Sequence, residues 1–62
     1  MQDIKSFTLE ELKREMELLG EKPFRAKQIY QWMHEKLVRG FDEMTNLPLS
    51  LRDKLSEKYS FT

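Results

Sequence analysis

The 62-residue chain balances eleven basic against eleven acidic residues and is 39% hydrophobic and 35% charged. A chain this short forms one domain and buries only about 60% of its unfolded surface, so its core is small. It has no cysteine and one histidine, which excludes a disulfide, a thiolate metal site, a cysteine nucleophile and a zinc site built by this chain alone.

Residues 1–6 show no periodicity and are expected to fray, with Ile4 at most tucked under the first helix. From Phe7 the signals sharpen. Thr8 reads as an N-cap, Glu11 completes a capping box, and Phe7 can staple onto Leu12. Leu9, Leu12, Met16 and Leu19 form a helical stripe, and Gly20 suits the left-handed position that ends it, so a first helix is predicted over 9–19. Glu21 and Lys22 lead to Pro23, whose fixed φ and absent N–H suit the first turn of a second helix. So short a connection turns the chain sharply and lays the first stripe against Ala26, Ile29 and Met33. The second helix is expected to run to about Val38, with Gly40 as its exit. Phe41 and Met44, at i and i+3, fit one helical turn that plugs the core. Pro48 opens a third helix on which Leu51, Leu55 and Tyr59 recur every four residues, with Asn46 or Leu47 as its cap. Residues 60–62 carry no stop signal and are also expected to fray. The reading is an all-α domain of three helices and one extra short helical turn, with Leu9, Leu12, Met16, Ile29, Met33, Leu37, Leu51 and Leu55 in the core.

The charge is sorted along the chain. Residues 22–39 hold five bases (Lys22, Arg25, Lys27, Lys36, Arg39) against one acid, Glu35, a net +4. Residues 1–21 hold three bases and six acids, and residues 40–62 three bases and four acids, which returns the total to zero. At 100° per residue, Arg25, Trp32 and Lys36 share one flank of the second helix, an aromatic ring between two cations. A tight basic turn opening a helix can grip a nucleic-acid backbone, a reading that suits Lys22, Arg25 and Lys27, with Trp32, Lys36 and Arg39 of the same basic segment as further candidate RNA contacts. The plain alternative is that these cations solvate the helix and balance the acidic first helix, and that Trp32 belongs to the core.

Catalytic patterns are missing. Glu10 and Glu11 suit a helix N-terminus better than acid–base work. His34, Ser50 and Asp53 lack a nucleophile turn and an oxyanion loop, and the two glycines stand alone rather than in a phosphate-cradling loop. The chain alone is expected not to be an enzyme and to hold no metal or cofactor. No apolar run approaches the roughly 20 residues of a membrane span. A soluble, cytoplasmic, monomeric unit is expected.

The strings T-L-E-E-L-K, L-G-E-K-P-F-R-A-K-Q-I-Y-Q-W-M-H, F-D-E-M-T-N-L-P and L-R-D-K-L, which together cover nearly the whole chain, resemble the N-terminal accessory domain of the RlmN/Cfr family. Pro23, Phe24, Arg25, Ala26, Lys27, Gln28, Ile29, Tyr30 and Trp32 match one signature of that family, and residues 44–48 match another. The resemblance implies a helix-hairpin-helix-like fold and a role in handling RNA. It also implies a parent radical-SAM methyltransferase, closer to RlmN, that uses a [4Fe–4S] cluster and S-adenosyl-L-methionine to methylate C2 of an adenine in 23S ribosomal RNA and in transfer RNA. Its partners would be ribosomal RNA, transfer RNA and the parent's own radical-SAM domain. The cluster-binding cysteines are absent here, so no catalytic or cofactor residue carries over. A weaker resemblance, to SAP-type nucleic-acid-binding modules, rests on the L-E-E-L-K stretch and the following glycine turn, and it does not explain P-F-R-A-K-Q-I-Y-x-W. A third reading is a protein-interaction domain in which Trp32 and Tyr30 anchor a partner or the catalytic barrel.

Overall fold

The structure is a computed structural model that describes residues 2–61. It is mostly helical: α1 (Leu9–Leu18), α2 (Phe24–His34) and α3 (Leu49–Lys58). Two 3-10 turns, Ile4–Ser6 and Phe41–Glu43, and two short strands, β1 (Gln2–Asp3) and β2 (Tyr59–Ser60), complete it.

Helix α1 has closed ends. The Thr8 hydroxyl accepts from the Glu11 N–H at 3.2 Å while the Glu11 carboxylate accepts from the Thr8 N–H at 2.8 Å, the predicted capping box. At the other end Gly20 has φ +78°, the Glu21 N–H reaches the Met16 carbonyl at 2.8 Å and the Gly20 N–H reaches that of Glu17 at 3.1 Å. This is a Schellman closure, and its left-handed residue costs glycine nothing sterically. Pro23, at φ −58°, leads directly into α2. The corner folds α2 back on α1, so Leu12 and Met16 bury against a face made of Ala26, Ile29 and Met33. Phe41 and Met44, on the second 3-10 turn, join Leu47, Leu51 and Leu55 to fill the rest of the core.

The structure corrects the sequence reading at both termini. The residues expected to fray are tied together: β1 pairs in parallel with β2, Gln2 beside Tyr59 and Asp3 beside Ser60. Ile4 is wholly buried, and the Phe7 ring meets Tyr59 edge-on at 5.5 Å. Phe61 meets Phe41 edge-on at 5.1 Å. Strands of two residues carry no periodicity, so pattern reading cannot find them. Met1 and Thr62 lie outside the described residues. The Tyr59 hydroxyl donates to the Glu15 carboxylate, which also has the Lys58 ammonium at 4.0 Å. Burial, then that hydrogen bond and the charge of Glu15, push the Tyr59 phenol well above its ordinary value near 10.

The second correction concerns the end of α2, which stops at His34 rather than near Val38. The Gln31 carbonyl accepts from both the Glu35 and Lys36 N–H groups, and the Trp32 carbonyl accepts from Val38. This widened turn is closed by Leu37 at φ +54°, with its side chain 74% exposed rather than in the core. Gly40 has extended backbone and is not the helix stop. Continuing the helix to Val38 would carry the chain about 6 Å further along the axis. Stopping early lets Val38 lie on the core and Phe41 enter it. Leu9 is only half-buried, and α3 starts from Pro48 with neither Asn46 nor Leu47 as cap.

Two expectations follow. Ile4→Ala should cost about 2–5 kcal/mol in urea or thermal unfolding, as a fully buried aliphatic does and a frayed one does not. Leu37→Gly exchanges a left-handed leucine, strained by about 1–2 kcal/mol, for a residue whose extra unfolded-state freedom costs about 0.5–1 kcal/mol. It should raise stability by up to about 1 kcal/mol, read as a higher urea midpoint at unchanged slope.

Candidate nucleic-acid interface

Helix α2 buries one stripe against α1, so its remaining faces must be polar or meet something else. On one flank stands Trp32, half-buried, its indole N–H donating to the Asn46 side-chain oxygen at 2.6 Å. The Lys36 ammonium lies over the Trp32 ring, 5.6 Å from its centroid. Asn46 therefore fixes the indole instead of capping α3. This partner fell outside the sequence-based candidates because the contact spans fourteen residues, and no local spacing rule links such positions.

The predicted flank of Arg25, Trp32 and Lys36 is brought together only in part. Lys36 reaches Trp32, but Arg25 is held elsewhere: its guanidinium lies 4.6 Å from the Phe24 ring centroid and donates to the Gln28 side-chain oxygen at 2.9 Å. Lys22 is exposed on the α1–α2 connection, and its carbonyl accepts from the Arg25 N–H. Lys27 is exposed on α2. Arg39 is exposed in the loop beyond α2, and its backbone N–H donates to Glu43 at 3.3 Å.

The ion pairs of the fold do not run between α1 and α2. Among the described residues, Glu10 pairs with Lys13, Glu21 with Lys54 and Glu15 with Lys58. None of the five cations in residues 22–39 is in an ion pair. Three of the acids of α1 and its connection, Glu10, Glu15 and Glu21, are thus met from within α1 and from α3, while Glu11 serves the capping box. Lys27 on α2 and Lys22, Lys36 and Arg39 beside it are exposed to water, where they are available to an anion, whereas Arg25 is half-buried.

Other features are less suited to chemistry. A cleft of about 310 Å³ beside α1 is lined by Phe7, Glu10, Glu11, Arg14 and Glu15, and three acids against one base would repel a polyanion. Among the described residues no three acidic or histidine side chains gather as metal ligands, and no helix is long and apolar enough to cross a membrane.

The second aromatic grouping on α2 is Tyr30 with His34, rings 4.3 Å apart. Their i, i+4 spacing was visible in the sequence, but the histidine drew notice only as a possible catalytic base. Asn46→Ala should leave the Trp32 N–H without its partner, cost about 0.5–1.5 kcal/mol, and change the position and intensity of tryptophan emission without unfolding the domain.

Comparison with known proteins places these features in context. Residues 2–60 match the family model described as the ribosomal RNA large subunit methyltransferase N-terminal domain. The chain is 63% identical over 57 residues to a protein of Lachnoclostridium phytofermentans described as a probable dual-specificity RNA methyltransferase RlmN; the match covers 92% of this chain and 16% of that protein. A Bacillus subtilis protein with the same description is 49% identical over 59 residues, covering 95% of this chain and 16% of the relative. The crystal structure of a radical SAM methyltransferase from Sphaerobacter thermophilus superposes on the whole chain with a TM-score of 0.95 at 32% identity, over 18% of its own length. The chain thus spans about a sixth of these relatives.

Proposed function

This chain belongs to the family of ribosomal RNA large subunit methyltransferase N-terminal domains, and from that membership we propose that it is the RNA-handling accessory domain of a radical-SAM methyltransferase. The parent enzyme would be a cytoplasmic monomer that methylates C2 of an adenine in 23S ribosomal RNA and in transfer RNA. The chain itself has no cysteine and so offers no thiolate ligand to the [4Fe–4S] cluster that such chemistry requires. The cluster and S-adenosyl-L-methionine are the business of residues outside this chain, and no step of the reaction is assigned to it.

The observation that carries the reading is the set of cations on and around α2 that are in no ion pair among the described residues, whose ion pairs are made without them. Lysine and arginine facing water attract RNA phosphates without regard to sequence and steer encounter. Arg25, Lys27 and Lys36 are the main contacts, with Lys22 and Arg39 at the margins. Trp32, fixed by Asn46, backs Lys36 and limits its freedom, so less order is lost when the lysine meets a phosphate. A second reading, docking onto the parent's own radical-SAM domain, draws on the exposed apolar side chains Leu18, Phe24, Leu37 and Leu49.

The test belongs in the full-length enzyme. Arg25→Ala and Lys36→Ala should each raise KM for ribosomal RNA while leaving cluster content unchanged. Each lost phosphate contact should also flatten the logarithmic salt dependence of binding by about 0.7–0.9. Silence of both variants, together with release of the domain by Trp32→Ala in limited proteolysis, would favour docking instead.

A further inference from the structure

The two flanks of α2 differ in what they leave unsatisfied. On the Trp32 side the indole N–H is taken by Asn46 and a ring face lies under Lys36. Turning 100° per residue places Tyr30 and His34 roughly 160–200° around the helix from Trp32. There the Tyr30 ring is half-buried and packed against the core, so it is anchored, while His34 is exposed. Their rings lie 4.3 Å apart, tilted by 47°. Among the described residues neither the Tyr30 hydroxyl, the His34 imidazole nor the Gln31 amide makes a hydrogen bond. Lys27, one turn before Tyr30 and Gln31, is exposed and outside any ion pair. The one acid of residues 22–39, Glu35, lies a further 100° round from His34.

From this juxtaposition we infer that Tyr30 and His34 form a stacking platform for an unpaired RNA base, with Lys27 on the adjoining phosphate. The inference deepens the RNA-handling reading and rests on it. Aromatic rings, imidazole included, stack on bases splayed out of single strands and loops, whereas paired bases have their faces covered. The tyrosine supplies a fixed support and the histidine an accessible ring. The free hydroxyl, imidazole nitrogen and Gln31 amide stand where a base edge would need partners. The electrostatic setting is made by Lys27, which can meet the phosphate that accompanies the base, and by Glu35, which borders the patch one turn after Gln31 and about 40° from it around the helix. A tyrosine and a histidine at i, i+4 can also simply support a helix, and the two roles are separable by experiment.

The probe is a single-stranded RNA of about eight nucleotides carrying one 2-aminopurine, compared with the same sequence fully paired, at about 50 mM salt. Binding to the 62-residue chain is followed by 2-aminopurine quenching and by anisotropy. The expected result is preference for the single strand, with quenching on binding. His34→Ala should weaken single-strand binding about 5- to 150-fold and abolish quenching, while His34→Phe restores both and Lys27→Ala flattens the salt dependence. Because His34 is exposed, its replacement leaves the core intact, and an unchanged melting temperature of the variant verifies this. If Arg25→Ala and Lys36→Ala weaken binding while His34→Ala and His34→Phe are silent, the platform is overturned and the phosphate-contact reading survives. Equal binding of single strand and duplex without quenching overturns it as well. If neither RNA binds, the platform is overturned, while the RNA-handling reading is decided by the full-length enzyme.

Discussion

The packing of Leu12 and Met16 against Ala26, Ile29 and Met33 is the contact on which the rest depends. It exists because the corner between α1 and α2 is short and sharply defined: a left-handed glycine stops one helix, and a proline starts the next within three residues. In a domain this small the core has no redundancy, and a single buried aliphatic is a sizeable share of the stability. Everything else in the core, including the second 3-10 turn and one face of α3, fills in beside that pair of helices.

The same contact sets the character of the surface. With one stripe of α2 buried, Lys27 and His34 are turned outward, while Arg25 and Tyr30 are half-buried beside it. Glu15 and Glu21 are met from other directions: Lys58 and Lys54 come from α3, and Tyr59 adds a hydroxyl to Glu15. These exposed ion pairs contribute little stability individually. Their basic partners are Lys13 of α1 and Lys54 and Lys58 of α3, so these pairs do not engage the cations of residues 22–39.

Closure of the termini and the early end of α2 belong to one constraint. The 3-10 turn at Phe41 has to enter the core, and the chain can reach it only by leaving α2 after His34 through a left-handed leucine. The exposed Leu37 that results is a local cost of bringing Phe41 and Met44 inward. Phe41 in turn receives Phe61 edge-on, which helps hold the C-terminal strand against the N-terminal one.

The sequence by itself determined the three helices, the capping box, the glycine stop, the proline start and most of the core. Each of these is a local signal: a spacing of three or four residues, or a residue whose backbone preferences permit few alternatives. It also determined that residues 22–39 carry the excess positive charge, and it supported the family resemblance. Tertiary structure decided the rest. Burial of Ile4, the pairing of β1 with β2 and the exposure of Leu37 follow from where distant segments meet, and no periodic pattern encodes them. Nor could spacing show that Asn46 holds Trp32, or that Arg25 turns to Phe24 and Gln28 instead. Helical geometry gave the angular position of each side chain on α2. That the Trp32 N–H was already satisfied depended on a residue fourteen positions away in the chain, and that only the folded molecule could settle.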